Sequence, residues 1–264
     1  MIYTSSDFFI PYLPDYTLYI KSDVHNDQLV VVDAAGRVLV YRSYASAEPT
    51  AEALKILSLP FQQVQISLPQ QGLIWVPQEV YDVTEKALYT DYFVDEHIDS
   101  IGVQEIDALS AVALYQYDLY LYNRWKSLFP TAHFTPIFSV FIQQLGTDIP
   151  KNGAFMGIHR YDDQADIILF VDGEFKLYNT FEVNTIDDLC YFVLSLFRNF
   201  HIREKIAGIA LSAVASDSEW IQRLQRYAET VYLLKPMQQW FAEDEAVAKK
   251  IEELNVLTDS TRCV

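Results

Sequence analysis

Cysteine is scarce in this chain, which has only Cys190 and Cys263. Neither belongs to a CxxC pair or to a Cys/His cluster, so the sequence predicts no disulfide framework and favours a reducing compartment. Long hydrophobic runs are also missing, because no stretch of 18 uncharged apolar residues occurs, and we expect no membrane span. The N-terminal residues lack a basic segment followed by an apolar one, so we expect no signal peptide and a cytoplasmic protein.

Positive charge is the second shortage. The chain has 19 Lys and Arg against 36 Asp and Glu, for a net charge of −17. Proteins that bind nucleic acids neutralise phosphates with Lys and Arg, and no basic stripe is present, so the composition disfavours nucleic acids and anionic membrane surfaces as partners. An acidic chain suits a basic protein partner, and we expect one. A homodimer formed through unpaired sheet edges is a further possibility.

Apolar and aromatic residues, in contrast, are plentiful. Apolar residues make up 51% of the chain, with 18 Tyr and 16 Phe, so the sequence predicts a folded protein with a large core. One aromatic-rich run extends from Tyr115 to Phe129. Two interpretations of it stay open, namely core packing, which the composition favours, and an exposed aromatic patch that binds a partner.

The clearest pattern of secondary structure lies in the second half of the chain. We predict strands over 155–160, 165–171, 175–181, 206–214 and 230–234, and helices over 189–199 and 219–229. Asp172-Gly173 is a hairpin turn signal, and Thr185 with Asp188 resembles a capping box at the start of the first helix. That helix is apolar nearly all round, so we expect it to be buried.

The first half repeats this order. We predict strands over 16–21, 28–32, 37–44, 64–68, 111–117 and 132–135, helices over 48–57, 84–91, 118–128 and 137–145, and an insertion formed by 73–76 and 80–82. The sequence therefore predicts an α/β protein built from two tandem βββαβαβ halves, with mixed sheets and flanking helices. The domains would be 1–148, the first half with its insertion, and 149–264, the second half with a C-terminal helix.

Three stretches, 18–44, 75–82 and 159–197, carry a resemblance to an uncharacterised family of Bacteroidetes proteins, the domain-of-unknown-function family DUF3822. At the level of fold, the duplicated unit resembles the actin-like ATPases, whose halves have a ribonuclease-H-like fold. That superfamily includes actin, the 70-kDa heat-shock proteins, sugar kinases and bacterial pilus-assembly proteins. Because one fold serves many functions, the resemblance implies an architecture and no particular chemistry.

Glycine decides what the resemblance implies about nucleotides. In actin-like ATPases the first hairpin turn of each half holds phosphates through glycine-rich backbone. The corresponding turns here, 22–27 and 161–166, contain no glycine, and the adenosine-binding Gly-Gly is missing from 211–215. No GxxxxGK[ST] or GxGxxG pattern occurs either. The sequence thus favours a non-catalytic actin-like scaffold or interaction module without a cofactor; the alternative is a divergent, Mg²⁺-nucleotide-dependent ATPase or kinase-like enzyme.

If that alternative holds, Asp23 and Asp162 are the residues expected to bind the nucleotide and its Mg²⁺. The simpler interpretation of these residues, and of Asp27 and Asp163, is that they are solvated acids in hairpin turns. The five histidines show no ligand spacing, and the buried helix position of Cys190 predicts an inert thiol, so we predict no catalytic residue and no metal site.

Overall fold

The computed structural model describes residues 1–161, 163–216 and 218–262. The chain divides into two compact units, one comprising Met1–Val140 with the segment that begins at Ser260, the other comprising Phe141–Asp259. The predicted domain limits, 1–148 and 149–264, stay a prediction. No helix among the described residues is long and apolar enough to cross a membrane.

The first unit contains nine strands in two sheets. In chain order they are β1 (Ile2–Thr4), β2 (Thr17–Ser22), β3 (Asn26–Val32), β4 (Val38–Ala45), β5 (Gln63–Leu68), β6 (Gln70–Pro77), β7 (Gly102–Ile106), β8 (Ala111–Tyr117) and β9 (His133–Pro136). The larger sheet has the order β1-β4-β3-β2-β5-β9, in which β2, β3 and β4 form an antiparallel meander and β2, β5 and β9 are parallel. The smaller sheet, β6-β8-β7, is antiparallel, and with its connecting segments it forms an insertion larger than the one predicted at 73–76 and 80–82.

Local chemistry explains the meander of the first unit. Leu29, Val30 and Val31 of β3 are fully buried, as expected of a strand covered on both faces. At the β3–β4 turn Asp33 Oδ1 accepts hydrogen bonds from the backbone N–H groups of Ala35 and Arg37, both at 2.9 Å, so the aspartate side chain closes the turn. A glycine in the left-handed region completes the turn.

Three helices complete this part of the chain: α1 (Ala51–Leu57), α2 (Leu119–Leu128) and α3 (Ile137–Leu145). Thr50 and Asp118 cap α1 and α2 by accepting hydrogen bonds from backbone N–H groups in the first turn. Leu121 and Trp125 of α2 are almost fully buried in the core of the first unit. The point at which the first unit ends lies within α3.

The second unit repeats the topology of the larger sheet. Its strands are β10 (Ala154–Arg160), β11 (Gln164–Val171), β12 (Glu174–Glu182), β13 (Ile206–Ser212) and β14 (Ala228–Leu233), and its helices are α4 (Ile186–Asn199), α5 (Glu219–Leu224), α6 (Glu245–Glu252) and α7 (Asn255–Thr258). The strand order is β12-β11-β10-β13-β14; β10, β11 and β12 are antiparallel, and β10, β13 and β14 are parallel. Each unit therefore contains the predicted βββαβαβ order.

Helix α4 confirms one prediction and contradicts another. Thr185 and Asp188 form the predicted capping box, in which each side chain accepts a hydrogen bond from the backbone of the other residue. The expectation that α4 is buried all round is wrong, because Tyr191 is 65% exposed and Leu194 is 47% exposed. The opposite face does pack into the core, and Cys190 is buried as predicted. The helix is thus amphipathic, with two large apolar side chains, Tyr191 and Leu194, on its solvent face.

Candidate functional site

The hairpin turn between β2 and β3 is the first place where a phosphate-binding loop is expected. Asp23 Oδ1 accepts hydrogen bonds from the backbone N–H of His25 at 2.8 Å and of Asn26 at 2.6 Å. The N–H of Asp23 in turn donates to the carbonyl of Asn26 at 3.0 Å. Two backbone donors of this turn therefore already bind an anion, and that anion is a side chain of the same turn.

Asp27, at the start of β3, is the centre of a buried polar cluster and is only 2% exposed. Its Oδ1 accepts hydrogen bonds from Ser22 Oγ at 2.5 Å, from Ser46 Oγ at 2.9 Å and from an Arg124 guanidinium nitrogen at 2.7 Å. The same nitrogen donates to Ser22 Oγ at 2.7 Å, and the guanidinium carbon lies 4.6 Å from the ring centre of Trp125. The interpretation of Asp27 as a solvated turn acid is therefore wrong.

Arg124 enters this cluster from α2, and its charge is matched there. Its side chain is 24% exposed and lines a small cavity of about 160 Å³ beside the turn, together with Val24 and Tyr120. Burial, and then the nearby carboxylate of Asp27, raise the pKa of Tyr44, so this phenol stays protonated as well. The cluster thus pairs one buried anion, Asp27, with one cation, Arg124.

The second hairpin turn lies between β10 and β11. Asp162, the second residue predicted to bind a nucleotide, lies outside the described residues. Its neighbour in the hairpin, Asp166, is fully buried and accepts hydrogen bonds from the hydroxyls of Tyr161 at 2.8 Å, Tyr178 at 2.6 Å and Thr180 at 2.6 Å. Three hydroxyl donors satisfy this carboxylate.

The end of β13 is where the resemblance places the adenosine-binding glycines. Ala213 follows β13 with φ at +60°, a left-handed conformation that an alanine seldom adopts. Its N–H donates to Asn255 Oδ1 at 3.1 Å, and Asn255 Nδ2 donates to Gln144 Oε1 at 2.7 Å and to Ser212 Oγ at 2.9 Å. Asn255, the first residue of α7, therefore binds the backbone N–H of Ala213, at the position where the resemblance places the adenosine-binding glycines.

A histidine–serine pair belongs to the same network. His159 Nδ1 lies 2.7 Å from Ser212 Oγ, a separation typical of catalytic dyads. His159 is fully buried and Ser212 is 1% exposed, so a substrate has no access to the pair. Its role is structural: it links β10 to β13 and α7.

The described part of the chain contains no group of three or more His, Cys, Asp or Glu side chains that could hold a metal ion. Asp23 contributes a carboxylate, but its Oδ1 is committed to the turn. The assignment of Asp23 and Asp162 to a nucleotide and its Mg²⁺ stays a prediction that depends on nucleotide binding.

An open groove lies in the first unit, beside the β6-β8-β7 sheet. Its volume is about 600 Å³, and its lining includes three tyrosines, Tyr115, Tyr117 and Tyr122, and two aspartates, Asp95 and Asp99. The rings of Tyr115 and Tyr117 meet edge to face at 5.4 Å, and those of Tyr117 and Tyr122 stack at 5.7 Å with an angle of 5°. The tyrosines thus form a continuous aromatic wall.

The structure shows which residues of the aromatic run, 115–129, are buried in the core and which are exposed. Trp125 is 2% exposed and Phe129 is 8% exposed, so the end of the run belongs to the core. Tyr120 is 75% exposed, and Tyr117 and Tyr122 are half-buried at the groove. Core packing is therefore confirmed for Trp125 and Phe129, and Tyr120 is exposed, while the binding of a partner by the exposed part of the run stays a prediction.

Comparison with known proteins identifies the fold. A family model described as "Protein of unknown function (DUF3822)" matches residues 8–231. A crystal structure from Bacteroides thetaiotaomicron, of a protein with an actin-like ATPase fold and unknown function, is 18% identical, with a TM-score of 0.66 over 95% of this chain and 98% of that chain. The PilM–PilN type IV pilus biogenesis complex is 10% identical, with a TM-score of 0.54 over 94% of this chain and 98% of that chain. No curated protein matches. These likenesses confirm the predicted actin-like ATPase fold.

Proposed function

This chain belongs to the DUF3822 family of proteins of unknown function, and we propose that it is a non-catalytic protein-binding module that uses an actin-like fold without nucleotide turnover. The observation that carries this proposal is the first hairpin turn. There the Asp23 carboxylate accepts hydrogen bonds from the backbone donors of His25 and Asn26.

The electrostatics of that turn oppose a bound phosphate. Two like unit charges about 4 Å apart repel each other by about 4 kcal/mol at an effective dielectric constant of about 20, which is typical near a protein surface. A phosphate would also have to displace Asp23 from two short hydrogen bonds before it could use the same donors. The nearest guanidinium, that of Arg124, offers little compensation because Asp27 already neutralises it.

The second unit supports the same proposal. Where a nucleotide-binding chain would need glycines, this one has Ala213, whose N–H is bound by Asn255. Asn255 is itself fully buried and held by Gln144. An entering adenosine would have to displace α7 from this network, at the cost of leaving buried polar groups unpaired.

A structural relative provides a precedent for a binding role. The PilM–PilN structure is a complex of type IV pilus biogenesis, so a protein with this fold takes part in an assembly of proteins there. The competing hypothesis is an enzyme that binds a nucleotide and Mg²⁺ through Asp23 and Asp162. The two hypotheses predict opposite results in one experiment.

That experiment is calorimetric titration of the full chain with ATP and then ADP, each with Mg²⁺ in excess. We expect no saturable heat up to about 1 mM nucleotide, a concentration that would reveal any binding with a free energy of about −4 kcal/mol or more favourable. A dissociation constant in the micromolar range would refute the proposal.

An Asp23→Asn variant makes the result specific, because the asparagine oxygen can still accept from the turn while the charge is lost. The matched control is Asp33→Asn, since Asp33 closes the β3–β4 turn in the same way. Nucleotide binding that is abolished by the first variant and unchanged by the second would establish the enzyme hypothesis.

A further inference from the structure

The aromatic groove of the first unit, defined by Tyr115, Tyr117, Tyr122, Asp95 and Asp99, has features that the proposed function does not explain. One wall consists of tyrosine rings, and aspartates line the groove with them. Tyr122 stacks on Tyr117 with the rings nearly parallel. Aromatic faces carry negative electrostatic potential, and they attract cations that come within about 6 Å of the ring centre.

The chain segment that contributes Asp95 and Asp99 to the groove is strongly acidic. Residues 78–110, the part of the insertion between β6 and β8, contain nine Asp and Glu residues and a single Lys. Large apolar side chains are exposed among these acids: Val80, Val83, Leu88, Tyr92 and Val94 are each more than 60% exposed. A ligand complementary to this surface must be both cationic and apolar.

We propose that the aromatic groove binds an arginine side chain carried on a basic, partly apolar segment of a partner protein. The planar guanidinium stacks on a tyrosine ring and at the same time donates hydrogen bonds to a carboxylate, and a groove with both groups can satisfy both modes. A second copy of this chain is a poor occupant because it would bring two acidic insertions together. The inference names the partner chemistry for the proposed binding module and rests on that function.

Binding is tested by fluorescence anisotropy with a labelled octapeptide of alternating arginine and leucine, at about 0.15 M salt, where attraction between distant charges is screened beyond about 8 Å. The comparison peptide has citrulline in place of arginine, which keeps the shape and removes the charge. We expect saturable binding of the arginine peptide, at least about tenfold tighter than that of the citrulline peptide.

Two double variants distinguish binding in the groove from non-specific electrostatic attraction between the basic peptide and the acidic chain. Asp95→Asn with Asp99→Asn removes two charges from the groove, and Asp95→Asn leaves an oxygen to accept the N–H of His97, which Asp95 Oδ1 binds at 3.0 Å. The matched control, Glu105→Gln with Asp107→Asn, removes two exposed charges from the same insertion outside the groove lining. We expect the first to weaken binding about tenfold and the second less than about twofold.

The aromatic wall is tested by Tyr122→Leu, which keeps apolar bulk and removes the ring; we expect binding to weaken about fivefold. Circular dichroism checks that each variant is folded. If the variant with both Asp95→Asn and Asp99→Asn is unfolded, the single variant Asp99→Asn, at an exposed position, replaces it in the binding assay. The inference is overturned if the arginine peptide shows no saturable binding at about 1 mM, if the citrulline peptide binds equally well, or if both double variants weaken binding equally.

These outcomes are distinct from those of the nucleotide titration. Failure of the peptide to bind, without nucleotide binding, removes the arginine groove and leaves the non-catalytic role intact. Nucleotide binding together with peptide binding removes the non-catalytic role and leaves the groove.

Discussion

The buried ion pair between Asp27 and Arg124 makes the sharpest prediction about stability. The substitution Arg124→Met keeps an unbranched apolar side chain and removes the guanidinium that lies over Trp125, so that the 2%-exposed Asp27 carboxylate loses its counter-ion. Ser22 and Ser46 can still donate to it. Breaking a buried pair in this way typically costs about 3–5 kcal/mol, because a buried charge is left uncompensated.

The partial exposure of Arg124 lowers the expected loss of unfolding free energy. Arg124 is 24% exposed, so water reaches part of the site and screens the stranded carboxylate. We therefore expect the free energy of unfolding to fall by about 2–3 kcal/mol. The assay is urea unfolding followed by tryptophan fluorescence, with circular dichroism as a second probe to test whether one transition is observed.

The double variant Asp27→Asn with Arg124→Met tests the cause. Because it removes the stranded charge as well, it should be more stable than Arg124→Met alone, and a double-mutant cycle should give a coupling of about 2 kcal/mol. The control is Arg223→Met, which breaks the exposed ion pair with Asp187 and should cost at most about 1 kcal/mol.

Equal, small effects of Arg124→Met and Arg223→Met would refute the reasoning. Such a result would mean that water reaches Asp27 freely, as the sequence-based interpretation of a solvated turn acid supposed.

Two further predictions concern packing and ionisation. Gly157→Ala should lower the free energy of unfolding by about 1–3 kcal/mol in urea unfolding, because an added Cβ would lie 2.7 Å from a buried methyl of Leu145; Gly146→Ala, with nothing within 4 Å, is the control and should be close to neutral. Burial raises the pKa of Tyr117, so the contribution of this phenol to stability is complete below its ordinary pKa of about 10 and is lost as pH rises above that value. Tyr117→Phe should therefore make the loss of stability between about pH 9.5 and 11 less steep, and a Tyr117→Phe profile identical to the parent profile would contradict this.

Much of the fold could be predicted because its signals are local. The β11–β12 hairpin follows from Asp172-Gly173 between two apolar runs, and the start of α4 follows from a capping box within four residues. Strand β7 was missed, since Gly102–Ile106 is short and its residues alternate between half-buried and exposed as expected of an edge strand. Period-two patterns are weak when neither face is fully buried.

The candidate site could be predicted only in part, because its partners are distant in sequence. The lack of glycine at 22–27 pointed to the turn, and the acids there were identified. Nothing local linked Asp27 to Arg124, 97 residues away, or Ala213 to Asn255. The sequence around a buried aspartate does not differ from that around a solvated one. Burial depends on a counter-ion or hydrogen-bond donor that the fold brings close from a distant part of the chain.

A small irregularity in both meanders has a consequence for the history of the chain. The β3–β4 pairing shifts register between Val31 and Val32, and the β11–β12 pairing shifts between Leu169 and Phe170, in each case within two residues of the hairpin turn. Bulges are inherited features within families, so tandem copying of one ancestral segment would leave the same irregularity at the same place in both copies. On this account the β6-β8-β7 sheet was added to one copy only. In the first unit it lies between β5 and α2, whereas the second unit has no strand between β13 and α5 among its described residues. Selection for a function particular to this family would then have acted on the β6-β8-β7 sheet and its connecting segments. Substitution rates in that region should therefore differ from those in the two repeated βββαβαβ parts.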